Sequence, residues 1–225
     1  MSLPKSGRMG RRTFLLAFAG AGAMAATSQP LRAQSVGREM GPPRWLSEPY
    51  AAVPDEPFPI AAIDVHRIDR RYLRQLVSYR TSEIPGTIIV DPDGRFLYLV
   101  MPDDQALRYG VGVGRQGFGW SGRATIARKA RWPRWTPTTN MIARDPRLEE
   151  FANGMEPGLD NPLGARALYL FQNGRDTLYR IHGTNEPWSI GTAASSGCIR
   201  LFNQDAIDLH RRIPVGSKVV VLTHG

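Results

Sequence analysis

One short segment of the chain brings together residue types that can carry out acyl transfer. Residues 181–200 contain Cys198, the only cysteine, and His182, one of four histidines. A histidine within hydrogen-bond distance can take the proton of a thiol and leave a thiolate, which is the nucleophile. The small residues 195–197 precede the cysteine, and a glycine there lets backbone N–H groups converge on a developing oxyanion. A lone cysteine is more often a small buried hydrophobe, so the segment is a candidate site.

The same segment resembles the signature of a known family. His182-Gly183-Thr184 and Ser195-Ser196-Gly197-Cys198-Ile199-Arg200 have the order and short spacing found in the L,D-transpeptidase catalytic domain, the YkuD family. Many members carry histidine where this chain has Ser196, and we expect the change to be tolerated because the backbone supplies the oxyanion contact. A weaker resemblance runs from about Pro85 to Leu222, through segments 86–91, 109–114 and 161–164. It does not cover the first sixty or so residues.

The resemblance implies a role for each residue of the signature. Cys198 attacks the carbonyl of the third residue of a peptidoglycan tetrapeptide stem and expels the terminal D-alanine. His182 is the general base for the thiol and then for the incoming amine, and the Gly183 carbonyl holds its imidazole in the required tautomer. Backbone N–H groups form the oxyanion hole, and four further residues bind substrate or support the site. The oxyanion hole consists of Ser196, Gly197 and Cys198, and the supporting residues are Arg200, Ser195, Thr184 and Trp188.

The acyl acceptor is open at this point. An amine of a second stem resolves the thioester to a 3→3 cross-link, which makes stem peptides the predicted partners as donor and acceptor. Water as acceptor gives an L,D-carboxypeptidase, and a protein acceptor gives attachment of the wall to that protein. Two other classes compete, namely a wall-binding module in which Cys198 is inert and a cysteine peptidase that cuts ordinary L-peptides.

Several other kinds of site are not predicted. One cysteine and scattered histidines give no chelating spacing, so we expect no metal. Residues 112–117 match the dinucleotide fingerprint formally, but no helix follows to receive a pyrophosphate, and no cofactor is expected. No basic stretch interleaved with aromatic residues indicates nucleic acid. The sequence does not indicate an oligomeric state.

Residues 1–33 are typical of a signal peptide. Arginines precede the short apolar run 14–19, and small residues lead to a predicted cut after Ala33, with Ala25 and Ala26 as alternatives. The pair Arg11-Arg12 favours twin-arginine export over an ordinary secretory signal, and retention as an uncleaved anchor is a further alternative. Export and wall chemistry together predict the periplasm or cell envelope of a bacterium, with no integral membrane span after cleavage.

Cleavage changes the charge of the chain. The net charge falls from +9 to +4, because five basic residues and no acidic residue precede the cut. That modest basic bias suits an anionic polymer such as the cell wall, and it equally suits a solvated surface.

The fold predicted for the mature chain is mainly β with short helices, a compact β-sandwich-type catalytic domain over residues 85–225. Residues 34–62 are rich in proline and indicate a linker or an extended segment lying over the domain. Residues 63–84 are a short helical lead-in, with a helix from Asp69 to about Tyr79.

Turn residues and periodicity predict the elements of the catalytic domain. Asn203 is expected to cap the last helix, and segment 131–137, with its tryptophans and prolines, either lines a groove or clasps the structure. The predicted elements are an antiparallel meander over 87–100, strands over 106–113 and 124–127, a helix over 144–152, a hairpin of 167–171 with 177–181 around Asn173-Gly174, and a final strand over 218–222.

Overall fold

The computed structural model describes residues 48–114, 120–195 and 197–223. The predicted signal peptide, the first part of the 34–62 segment and Ser196 lie outside the described residues, as do the side chains of Ala194 and Ser195. Within the described part of the chain, no helix has both the length and the apolar character needed to cross a membrane.

Strands dominate the described residues, and the prediction of a mainly β fold with short helices is confirmed. Among the residues that the structure describes, the α-helices are α1 (Thr139–Arg144) and α2 (Asn203–Arg212). Short 3₁₀ helices span Glu48–Tyr50, Val65–Arg67, Arg70–Tyr72, Pro146–Phe151 and Pro187–Ser189. The strands are β1 (Gln75–Ser78), β2 (Ile88–Asp91), β3 (Phe96–Met101), β4 (Gln105–Gly110), β5 (Val113–Gly114), β6 (Gly122–Arg131), β7 (Arg166–Gln172), β8 (Arg175–His182), β9 (Ala193–Ser195), β10 (Ile199–Arg200) and β11 (Lys218–Val221).

Nine of these strands form one sheet in the order β1-β4-β3-β2-β11-β6-β7-β8-β10, and β5 pairs with β9. Neighbours in the large sheet are antiparallel except β2 with β11 and β8 with β10, which are parallel. Tyr109 of β4 and Ile181 of β8 lie near opposite ends of the sheet but belong to one buried cluster, which Leu209 of α2 also joins. The sheet must therefore curve around a single core that α2 helps to close.

The predicted helix from Asp69 to Tyr79 is wrong. Asp69 does accept a hydrogen bond from the backbone N–H of Arg71, but the turn that it caps ends at Tyr72. Leu73 is fully buried, whereas Leu76 is 57% exposed on β1, which pairs antiparallel with β4. The leucines therefore do not share one helical face, and the helical lead-in predicted over 63–84 consists of 3₁₀ turns followed by an edge strand.

The described part of the proline-rich segment packs against the catalytic domain. Tyr50 and Ile60 are buried in two separate apolar clusters. Glu56 accepts hydrogen bonds from the buried guanidinium of Arg166 and from the indole N–H of Trp132. Trp132 and Trp135 are themselves buried, so the aromatic segment over 131–137 contributes packing rather than an exposed groove wall.

The helix predicted over 144–152 is present as the 3₁₀ helix Pro146–Phe151, directly after α1. The hairpin around Asn173-Gly174 is confirmed as β7 and β8, with both turn residues at positive φ. The last helix and the final strand are also where the sequence predicts them, as α2 and β11.

Candidate active site

Strands β8 and β10 bring the candidate nucleophile and base together. The parallel register sets Arg200 opposite His182 and Ile199 opposite the fully buried Ile181. Cys198 directly precedes β10, two residues before Arg200, which places it next to β8. Its sulfur contacts β8 at Leu178 and Arg180, so Cys198 lies beside the strand that ends at His182.

A bulge in β8 contacts the sulfur. The β7–β8 register shifts between Tyr169 and Phe171, and Leu178 in the bulged stretch adopts φ +63°, which is rare for a branched residue. The Leu178 carbonyl lies 3.9 Å from Cys198 Sγ, which donates to it. The backbone N–H of Arg180 donates to the sulfur. Peptide groups on both sides of Tyr179 thus hold the thiol.

Two glycines pack against each other behind the cysteine. Gly197 is buried with φ +132°, a conformation that favours glycine. A Cβ added to Gly114 of β5 would lie 2.7 Å from Gly197 Cα. Gly112 exchanges backbone hydrogen bonds of 3.0 and 2.8 Å with Arg200, so segment 112–114 supports the residues on both sides of Cys198.

The imidazole of His182 is buried and oriented by the backbone. Nδ1 lies 2.5 Å from the Gly183 carbonyl oxygen, and because a carbonyl can only accept, Nδ1 carries the proton. Nε2 is then the basic nitrogen. Burial lowers the pKa of His182 to about 4, helped by the charge of Arg200, while the carbonyls of Gly183 and Pro162 act in the opposite direction. The free base is therefore the resting form at neutral pH.

The thiol is also neutral at rest. Burial raises the pKa of Cys198, and the carboxylate of Asp176 adds to this effect. The Arg180 N–H group and the charges of Arg180 and Arg200 lower the same pKa but are outweighed. A raised thiol pKa beside a lowered imidazole pKa favours a thiol–imidazole pair over a preformed thiolate–imidazolium pair.

The remaining predicted residues occupy different positions around the pair. Arg200 donates to the Glu186 carboxylate at 2.5 Å, and its charge acts on both His182 and Cys198. The Thr184 side chain is buried, and its hydroxyl accepts from the backbone N–H of Glu186. Trp188 follows this turn and is 71% exposed. Ser195 lies on β9 with its side chain not described, and Ser196 is outside the described residues.

Two asparagine side chains that the sequence did not mark as site residues hold the loops around His182. Asn161 is almost fully buried and donates to the carbonyls of Pro133, Met155 and Glu156. Its Oδ1 accepts from the N–H of Leu163, which fixes the peptide after Pro162. The only sequence signal for this role was the 161–164 segment within the weaker part of the resemblance.

Asn203 holds the backbone next to Gly183, whose carbonyl faces the imidazole. It was predicted to cap α2, and that role is wrong, because it is the first residue of the helix and makes no side-chain cap. Its Oδ1 accepts from the N–H of Ala165 and its Nδ2 donates to the carbonyl of Thr184. A Cβ at Gly183 would lie 2.1 Å from this Oδ1, so the glycine permits the close approach.

Among the described residues, no group of three histidine, cysteine, aspartate or glutamate side chains is arranged to hold a metal ion. The described site offers a thiol, an imidazole, the charge of Arg200 and backbone dipoles. Together with the curved sheet, these features define a β-rich domain in which a cysteine contacts the strand that carries a histidine.

A family model confirms this class. The model of the L,D-transpeptidase catalytic domain, YkuD, matches residues 85–221, which is more than half of the chain. The chain belongs to this family.

Curated relatives carry the same family name. The chain is 36% identical over 139 residues to the probable L,D-transpeptidase YbiS of Escherichia coli K12, which covers 60% of this chain and 43% of YbiS. It is 37% identical over 141 residues to the probable L,D-transpeptidase ErfK/SrfK of the same organism, with the same coverage of 60% and 43%. The chain thus spans less than half the length of these relatives.

Solved structures give a weaker likeness. A Brucella melitensis structure described as a probable carnitine operon oxidoreductase is 51% identical and covers 71% of this chain and 99% of that chain, with a TM-score of 0.48. An L,D-transpeptidase from Mycobacterium smegmatis is 19% identical over 61% of this chain and 58% of that chain, with a TM-score of 0.44. Because both TM-scores are below 0.5, the family assignment comes from the family model. The oxidoreductase activity named for the Brucella melitensis protein is a description of that protein.

Proposed function

We propose that this member of the family is an exported peptidoglycan L,D-transpeptidase with Cys198 as nucleophile. The observation that carries the proposal is the position of Cys198 directly before β10 and in contact with β8, the strand that ends at His182, with Nδ1 of that histidine bound to the Gly183 carbonyl and Nε2 left as the base. A thiol next to an oriented imidazole is suited to acyl transfer through a thioester.

In the proposed first half-reaction, the thiol proton moves to Nε2 of His182 as the sulfur attacks the third-residue carbonyl of a tetrapeptide stem. The neutral resting states of both groups favour transfer of the proton during attack. The imidazolium then protonates the departing amine, and the C–N bond to D-alanine breaks as the thioester forms. The carbonyls of Gly183 and Pro162 face the imidazole and stabilise its transient positive charge.

In the second half-reaction, the amine of another stem attacks the thioester, and Nε2 of His182 takes its proton. The new amide is the 3→3 cross-link, and the sulfur leaves with a proton as the resting thiol. Backbone N–H groups of Ser196, Gly197 and Cys198 are proposed to bind the oxyanion in both steps. The buried Gly197, with its positive φ, suits a backbone turn of this kind.

The supporting residues have distinct proposed roles. Arg200, fixed by Glu186, keeps a positive charge beside both reacting groups and favours the thiolate character that develops during attack. Thr184 and Ser195 support the loops, and the exposed ring of Trp188 offers a contact for substrate at the His182 end of the site. The predicted signal over residues 1–33 and the wall substrate favour a periplasmic or cell-envelope location in a bacterium.

The experiment that tests the proposal is mass spectrometry of purified disaccharide-tetrapeptide incubated with the protein or its Cys198→Ala variant. Release of D-alanine together with a cross-linked dimer, both absent with the variant, is the expected result. Release of D-alanine to give only a monomeric tripeptide would change the assignment to L,D-carboxypeptidase. An unchanged stem in the presence of folded protein with a reduced thiol would refute the proposal and favour the wall-binding module.

A further inference from the structure

A cleft at the turn of the β7–β8 hairpin has no role in the chemistry above. It has a volume of about 460 Å³ and lies between Trp120 and the β7–β8 hairpin. This volume falls in the range typical of small-ligand sites. One aromatic and five polar or charged residues line it, namely Trp120, Gln172, Asn173, Arg175, Asp176 and Thr177.

The cleft reaches the sulfur through consecutive residues of β8. Asp176 and Thr177 directly precede Leu178, whose carbonyl accepts from Cys198 Sγ. The ring of Trp120 packs against Tyr179 with centroids 5.8 Å apart. Burial raises the pKa of Tyr179, and the neighbouring Cys198 raises it further. Asp176, which lines the cleft, is also close enough to Cys198 for its carboxylate to raise the pKa of the thiol.

The cleft and His182 lie toward opposite ends of β8, on either side of the point where the sulfur contacts the strand. The strand begins at the cleft with Arg175 and ends at His182, and the sulfur contacts its middle, between Leu178 and Arg180. His182 must protonate the leaving amine and later deprotonate the incoming amine, so both amines occupy its end of the site. The part of the substrate that stays on sulfur extends the other way, toward the cleft.

We propose that this cleft binds the retained acyl part of the donor stem, as a site for an anionic peptide. This inference rests on the proposed transpeptidase function. Asp176 forms a two-point ion pair with Arg180 at 2.6 and 2.8 Å, so that pair is close to neutral and Arg175 gives the cleft a positive charge. Arg175 binds a donor carboxylate, and the Trp120 ring packs against the apolar stem. The Asn173 amide and the amide oxygen of Gln172, whose nitrogen donates to the Arg123 carbonyl, meet peptide groups.

The first test measures turnover of Arg175→Gln. Arg175 is exposed at the start of β8, so the variant should fold, and Arg80→Gln on the edge far from the cleft is the matched control. The KM for the donor stem should rise about two- to fivefold, as for loss of an exposed ion pair, with kcat and the dependence on acceptor concentration unchanged. With a donor stem whose carboxylates are amidated, Arg175→Gln and the parent should have the same KM.

The second test does not depend on turnover. Binding of the disaccharide-tetrapeptide to the Cys198→Ala protein is followed by NMR of the Trp120 indole N–H, with and without Arg175→Gln. Binding that shifts this signal and weakens by the same factor in the variant supports the cleft even if the parent protein releases no D-alanine. An unshifted Trp120 signal would overturn the inference. The inference would also be overturned if Arg175→Gln changed only the dependence on acceptor concentration, or if its KM for the donor stem equalled that of Arg80→Gln.

Discussion

Replacing Gly114 by alanine should impair catalysis through the backbone, without touching Cys198 or His182. The added Cβ would lie 2.7 Å from Gly197 Cα and 3.1 Å from Gly197 N. Ordinary contact begins at 3.4 Å, so relief of the clash requires a shift of roughly 0.7 Å at a packed position. Both contact atoms belong to backbone, and they sit next to the nucleophile. Misplacement of a reacting group by about 1 Å costs about 100-fold in rate, so we expect this smaller shift beside Cys198 to cost roughly 10- to 100-fold.

The assay is the initial rate of D-alanine release from disaccharide-tetrapeptide, with thermal denaturation of the same preparations. Overpacking is also expected to cost about 1–3 kcal/mol in free energy of unfolding. Gly158→Ala is the matched control, because a Cβ there meets nothing within 4 Å, and it should leave the rate unchanged. A folded Gly114→Ala protein that retains at least half of the parent rate would refute the argument that β5 positions the cysteine loop.

Four further predictions follow from the described contacts. Asn161→Ala should lower the free energy of unfolding by about 1–3 kcal/mol, because it leaves buried carbonyls unpaired. The variant should also shift the acid limb of the pH–rate profile, because it releases the Pro162 carbonyl that acts on His182. A profile identical to that of the parent would contradict the positioning role of Asn161. Glu56→Gln should lower the free energy of unfolding by about 3–5 kcal/mol, because it removes the counter-charge of the buried Arg166, whereas the exposed Asp55→Asn should not. Equal melting temperatures for the two variants would count against a structural role for the ion pair. Burial raises the pKa of Asp205 to about 7, so its contribution to stability is fully present below pH 4 and is lost as the pH rises to 7. In urea denaturation, the free energy of unfolding of the parent should decline over this range relative to that of Asp205→Asn. A difference between the two proteins that stays constant with pH would exclude this effect. Since the pKa of His182 is about 4, kcat/KM should stay level as the pH falls to about 5 and should decrease at lower pH. An acid limb near pH 6.5 would show that the imidazole is not buried in the active enzyme.

The sequence correctly predicted those elements whose structure is determined by residues close together in the chain. Asn173-Gly174 adopts positive φ at both positions and forms the hairpin that delivers His182, as turn chemistry requires. The apolar face of α2 is buried where its period places it. The candidate pair was identified in the same way, because Cys198 and His182 lie within one short segment.

The features that sequence missed depend on contacts between distant residues. Leucine spacing after Asp69 is compatible with a helix, and only pairing with β4 makes the segment a strand. The side chain of Asn203 could cap a helix, but the N–H of Ala165 and the carbonyl of Thr184 are its partners instead. The positive φ of Leu178 arises from a bulge against β7, which no local pattern indicates.

The most direct test of the account is the intact mass of the protein mixed rapidly with disaccharide-tetrapeptide and quenched in acid. The account predicts an adduct equal to the stem less D-alanine, located by peptide mapping on Cys198 and absent from Cys198→Ala. D-alanine release without any adduct on Cys198, or an adduct that persists in the variant, would contradict the proposal that this thiol carries the acyl group.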